Sequence, residues 1–458
     1  MYKLKLNYTF IFSIFSLLIL QIKSNSYSDS LEIVAQFNII KFKINSNIEE
    51  CRNCMPAGIK LSKNGTTFCS FPRWFDDVIA TFAKYNSETK YFEPWPSTEM
   101  NQKYKNFDSS GINSVLGFEI DNEDNLYILD QGKISNNTAL EGSIKILKYS
   151  LKNSTLLKEY IFNSEIADHN NSFLNDLVID QNKKIAYISD SGIARDNILS
   201  NYKPGIIVLD LEKSNAHRIL SNHSSVFPDK SFWLHIDRKR VKKENPMMTG
   251  ADGIALSCNG DTLFFCPLTG RMIYSILTLD IEKAIKENKL NDITVYEGFK
   301  KEASDGLLAS SKGNLYMTGI ETGSIYISKE IEQDLLRFDY KNFEIFKGNT
   351  TTMWPDTLAM KDGYLYFVSN QLNNFPDKID YLNPQNGKYN FAILRFKVDD
   401  ESYLKGCSGV SSEWGPGSII IWICFAVIIL IVLSFVLMGS NNQEEVIDKH
   451  MNLGIKDD

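Results

Sequence analysis

Six copies of one short unit run through the body of this chain, and that repetition limits the fold more than any other feature. Each copy is an apolar strand, a polar turn and a second strand that carries an aromatic residue. The copies are Ala57-Gly-Ile-Lys-Leu to Phe68, Leu116-Gly-Phe-Glu-Ile to Tyr127, Asn175-Asp-Leu-Val-Ile to Tyr187, Asp252-Gly-Ile-Ala-Leu to Phe264, Asp305-Gly-Leu-Leu-Ala to Tyr316, and Asp356-Thr-Leu-Ala-Met to Tyr366. Successive aromatic anchors lie 59, 60, 77, 52 and 50 residues apart. The turns, among them Lys63-Asn-Gly, Asn259-Gly-Asp and Lys361-Asp-Gly, are hairpin signals. Further strands such as Gly205 to Leu211 follow some hairpins. About four strands in each unit of about 55 residues, repeated six times, predict an all-β, six-bladed β-propeller over residues 31–400. A β-sandwich would be shorter and would lack the period. Leu31 to Ile44 is the expected closing strand, and the long insertion from His217 to Asn245, with Trp233 and His235, is expected to cap one face.

In a propeller the first strand of each unit lines the channel, so residues in register at the strand starts face one another across it. Here they are Ala57, Leu116, Asn175, Asp252, Asp305 and Asp356. The last four carry oxygen and are contiguous around the ring. Three carboxylates aimed at one place repel, and a proton or a cation must relieve them. Carboxylate and amide oxygens suit a hard ion, so Asn175, Asp252, Asp305 and Asp356 are the expected ligands of Ca²⁺ or another divalent cation. An organic amine would relieve the same charge. The opposing reading is local: Asp-Gly is a common turn dipeptide whose carboxylate caps its own backbone.

The two ends of the chain are apolar. Residues 1–26 place Lys3 and Lys5 before an apolar run and then small polar residues, the layout of a signal peptide. Residues 418–438 hold no charge, and 21 residues at about 1.5 Å each match a bilayer core of about 30 Å. A single-pass, type I arrangement is therefore expected. It comprises an extracytoplasmic body, a stalk over 401–417, one C-terminal transmembrane helix in the lipid bilayer, and a cytoplasmic tail over 439–458. Cys51, Cys54, Cys69, Cys258, Cys266 and Cys407 make an even set outside that span, as a disulfide framework requires. Sequons at Asn64, Asn136, Asn153, Asn170, Asn222 and Asn349 fit the same compartment as glycosylation acceptors.

Several motifs resemble the yellow / major royal jelly protein family. They are Met55-Pro-Ala-Gly-Ile before Phe71-Pro-Arg-Trp74, Asn125-Leu-Tyr-Ile-Leu-Asp-Gln-Gly132, Asn175-Asp-Leu-Val-Ile-Asp, Thr262-Leu-Phe-Phe-Cys-Pro-Leu268, and Trp354-Pro-Asp-Thr-Leu with Ser369-Asn-Gln-Leu. The resemblance implies a six-bladed propeller, usually secreted, with members linked to dopachrome conversion, amine binding, or storage and signalling. Its amine binders use the last blade, which corresponds by position to Thr357, Asn370 and Phe375. The chain is also distantly similar to gluconolactonase and paraoxonase propellers, whose metal is held at blade starts. Asn175 and Asp252 match two of those positions, while Ala57 stands where that group has an acidic ligand. Arg73 and Trp74 are candidate ligand-binding residues of the channel rim, the alternative being a packing role in the first blade.

Other chemistry is less well served. No G-x-S-x-G or H-E-x-x-H occurs, and no body histidine falls at a strand start. A net charge of −7 with one short basic cluster, Arg238 to Lys243, argues against nucleic acid. Two readings remain: a module that binds a small amine or aromatic ligand in the channel, and a metal-assisted isomerase or hydrolase of the dopachrome or lactone type.

Overall fold

The computed structural model describes residues 31–103, 108–133, 138–193, 202–221, 223–236, 238–241, 245–329, 342–346, 348, 353–374 and 389–408. The candidate signal peptide and the candidate membrane span lie outside the described residues. Among those described, no helix is long and apolar enough to cross a membrane.

The six hairpins are the inner pairs of six sheets, antiparallel except for one pairing in the first. Their innermost strands are Ile59–Leu61, Val115–Ile120, Leu174–Asp180, Ala251–Leu256, Leu307–Ala309 and Pro355–Lys361. Those of blades two, three and four are buried along their whole length. Outer strands are largely exposed instead, as Asn215–Ile219 of blade three is, with only Ile219 buried. Apolar side chains between adjacent blades form the core. Phe82, for example, meets Phe118 of the next blade edge-on with centroids 4.8 Å apart.

Closure uses a shorter strand than the sequence suggests. Glu32–Phe37 pairs with Phe391–Lys397 as the outer strand of blade six, and Arg395 reaches back to Glu32 at 2.6 Å. Ile40–Ile44 has a separate task. With Asn47–Cys51 it widens the first blade to six strands, through a parallel contact of Phe42 with Phe92. The insertion begins after Ile219 rather than at His217, which lies inside blade three. Its Phe232, Leu234 and Ile236 pack on Leu268, Ala303, Ile320 and Trp354. Those residues flank the starts of the inner strands of blades four to six, so the insertion covers that end of the ring.

At the other end, a segment expected to be a stalk is part of the propeller. Ser402 bridges Ser310, Tyr403 and Leu404 are buried, and Cys407 forms a disulfide with Cys258. The compact unit accordingly runs through Cys407. A second disulfide joins Cys51 to Cys54. Cys69 and Cys266 remain free thiols, each buried in a different blade.

Candidate functional site

The inner-strand starts form a closed ring, and contacts between blades trace it. Gly58, Gly117, Gly253 and Gly306 each lie against the next blade. A Cβ there would fall 2.6, 2.5, 2.6 and 2.4 Å from the carbonyl oxygens of Leu116, Asn175, Asp305 and Asp356. That near-contact is why glycine recurs as the second residue of these four starts, beyond any need of a turn. Ser189 donates to the Asp252 carbonyl at 2.5 Å and joins blade three to blade four. Thr357 N–H donates to the Ala57 carbonyl at 3.4 Å and joins blade six to blade one.

Within the ring Asn175 bonds Asp252, and Asp305 and Asp356 lie near enough to act on Asp252 by their charge. Asn175 donates through Nδ2 to Asp252 Oδ2 at 2.6 Å and to Ser191 Oγ at 3.1 Å. Trp354 donates its indole N–H to Asp305 Oδ2 at 2.5 Å. Asn370 Nδ2 donates to Asp356 Oδ2 at 2.8 Å and to the Pro56 carbonyl at 3.0 Å, while Thr357 Oγ1 reaches Asp356 Oδ1 at 3.3 Å. Thr357 and Asn370 therefore act on the carboxylate of Asp356. Asp252 Oδ1 is buried and meets no donor.

This crowding sets the electrostatics. Burial pushes Asp305 up to about 6. Burial, and then the charge of Asp305, holds Asp252 and Asp356 well above the usual carboxylate range. Deeper in the channel, Asp176 is also raised to about 6 by burial, against the pull of Lys60. Lys60 pairs with Glu119 at 3.1 Å, both nearly inaccessible. Among the described residues no group of three or more His, Cys, Asp or Glu is arranged to hold a metal ion. The carboxylates of Asp252, Asp305 and Asp356, expected with Asn175 to ligate a divalent ion, are therefore not drawn together as a ready-made metal site.

Arg73 corrects an expectation. It is 1% exposed, and its guanidinium donates to the carbonyls of Val78, Asn101 and Asn113, so it braces the first blade and is committed away from any ligand. Trp74 is half-buried against the first-blade core. Phe375 lies outside the described residues. Sequence reasoning missed Trp354 and Ser191 as partners of the acids, and Lys60 and Glu119 as a channel pair. The last two had a signal: each stands three residues after its strand start.

The family model described as Major royal jelly protein matches residues 113–407. The chain belongs to the major royal jelly protein family. The royal jelly match takes in all four oxygen-bearing strand starts and ends on Cys407. Major royal jelly protein 3 of Apis mellifera is 24% identical over 414 residues, 82% of this chain and 70% of that protein. Dopaminechrome tautomerase of Drosophila melanogaster is 21% identical over 406 residues, 82% of this chain and 84% of that protein. Among solved structures, a putative gluconolactonase aligns with a TM-score of 0.46 at 8% identity, covering 81% of this chain and 93% of that one. A calcium-binding regucalcin of Agrobacterium tumefaciens aligns with a TM-score of 0.45 at 9% identity, covering 76% and 92%.

Proposed function

We propose that this royal jelly family propeller captures a small organic amine at the acid-lined mouth of its channel, on the outer side of a membrane in which residues 418–438 anchor it. One observation carries the reading. Asp252, Asp305 and Asp356 are buried together with one carboxylate oxygen unpartnered, and all three are held above their ordinary range. An ammonium group supplies the missing donors and the opposite charge at once. Trp354, fixed by its bond to Asp305, sets an aromatic wall beside the acids. Titration of the full-length protein with a phenethylamine by calorimetry tests the idea. Saturable binding that disappears in Asp252→Asn is expected, and retention of affinity in that variant overturns it. Binding requires ionised carboxylates and all three are raised, so affinity should fall as the pH is lowered, with Asp305 taking up its proton near 6. Extraction of the protein from membranes by detergent, but not by carbonate or high salt, tests the anchor.

A second reading draws on the similarity to dopaminechrome tautomerase. Asp252 and Asp305 lie close enough to share a proton. Such a pair is suited to taking a proton from one atom of a bound substrate and returning it to another. Asn175, Asp252, Asp305 and Asp356 would also hold a divalent ion such as Ca²⁺, which would supply Lewis-acid polarisation of a substrate oxygen. Turnover of an aminochrome or lactone that is lost both with chelator and in Asp252→Asn favours this reading; amine binding without turnover favours the first.

A further inference from the structure

Blades two and three build the same turn with different fillings. In blade two, Asp121 is fully used: Oδ1 accepts from the backbone of Glu123 and Asn125 at 2.9 Å, and Oδ2 from Asn125 Nδ2 at 3.0 Å and Tyr127 O–H at 3.2 Å. The strand registers set Asp180 and Ile185 in the corresponding places of blade three, since Ile120 pairs with Leu126 as Ile179 pairs with Ala186. Isoleucine brings no donor. Asp180 Oδ1 accepts from the backbone of Asn182 and Lys183 at 3.0 and 2.9 Å, but Oδ2 meets none, although the residue is only 4% exposed.

The Asp180 carboxylate also forms no ion pair among the described residues. Lys183 turns to Glu282 at 2.9 Å, and Lys405 is exposed. Asp180 borders a cavity of about 170 Å³, walled by Asn122, Gln181, Ser257, Gly260 and the clasp residues Tyr403 to Gly406. Gly260, at φ +76°, passes so close that a Cβ there would lie 2.9 Å from Oδ2. The oxygen has almost no water-accessible surface, so solvent does not satisfy it. A buried anionic oxygen without a donor is costly. A bare ion smaller than water reaches where water does not, and the cavity has room for the waters that complete its shell.

We propose that this cavity is a second cation site, remote from the channel mouth, which takes a hard divalent ion of calcium's class between Asp180 and the C-terminal clasp. Because the clasp forms one wall, the ion ties blade three to the segment that closes this end of the channel. Calorimetric titration of the chelator-treated, full-length protein with Ca²⁺ tests the site in an Asp252→Asn/Asp305→Asn background, which removes the mouth carboxylates. One Ca²⁺ per chain should still bind, and adding Asp180→Asn should weaken it at least tenfold. Adding Ile185→Asn instead restores the donor of blade two while keeping the carboxylate, and should weaken Ca²⁺ to a similar degree without harming the fold. Absence of Ca²⁺ binding in the background, or unchanged affinity with Asp180→Asn, overturns the proposal. Neither result bears on the amine reading of the mouth.

Discussion

The two ends of the channel treat charge in opposite ways. At the mouth, Asp252, Asp305 and Asp356 converge with neutral partners, Asn175, Trp354 and Asn370. Toward the other end, Glu119 meets Lys60 directly, and the chain itself fills the exit. There the Tyr403 hydroxyl accepts from Ile179 N–H at 3.0 Å, and the Leu404 carbonyl accepts from the side chains of Asn122 and Gln181. Apart from Asp180 Oδ2, the clasp end has these charges and hydrogen bonds matched internally, whereas the mouth has acids in excess. A folded chain keeps unbalanced buried charge only at some cost to stability, and such places are where ligands act. The contrast, more than the ring itself, separates the functional end from the structural one.

That contrast can be broken most strongly at the paired end. Lys60→Met leaves Glu119 buried beside Asp176 with no cation, and should destabilise the protein by about 4 kcal/mol, read from denaturant unfolding. Cys407→Ser frees the clasp from Cys258, 149 residues away in sequence, and should cost about 3 kcal/mol in the same measurement, with faster proteolysis after Asp400. Either change leaving stability untouched would mean that this end is not held as described.

The mouth should respond more weakly and with the opposite sign. Asp305 is raised from 3.8 in the unfolded chain to about 6, so its favourable contribution is complete below about pH 4 and is lost as the pH rises through 6. The ligand-free protein should therefore lose about 2 kcal/mol over that window. Asp305→Asn should flatten the loss and be the more stable protein at pH 8. A wild-type profile parallel to that of Asp305→Asn would show that the mouth carries no uncompensated charge.

Much of this was legible in the chain. The hairpin unit gave the blade number and the inner-strand register, because a strand buried on both faces leaves a dense apolar run after a fixed start. The strand starts could be aligned because Asp-Gly or its substitutes recur at each. What escaped depended on contacts between distant segments. Nothing in Leu31 to Ile44 marks the point between Phe37 and Ile40 where one strand closes the ring and the next joins blade one. Glu401 to Cys407 reads as a polar linker, since the partners of Tyr403 and Leu404 lie more than 200 residues away. Arg73 looked available because the carbonyls that hold it carry no mark in the sequence. The six cysteines suggested three bridges, but Cys69 and Cys266 sit in separate blades beyond each other's reach.

The closing strand also bears on how the molecule is made. Glu32 waits for Arg395, a partner 363 residues further along, so blade six cannot be completed until nearly the whole body has been synthesised. Until then the growing chain is an open arc with an unzipped sheet edge at each extremity, the state most exposed to pairing with a neighbour. The clasp follows Lys397 within ten residues and locks to blade four as soon as the circle is shut. A message truncated before Phe391 would thus yield an arc with no means of joining its ends, and cellular quality control should meet it as an aggregating species instead of a smaller propeller.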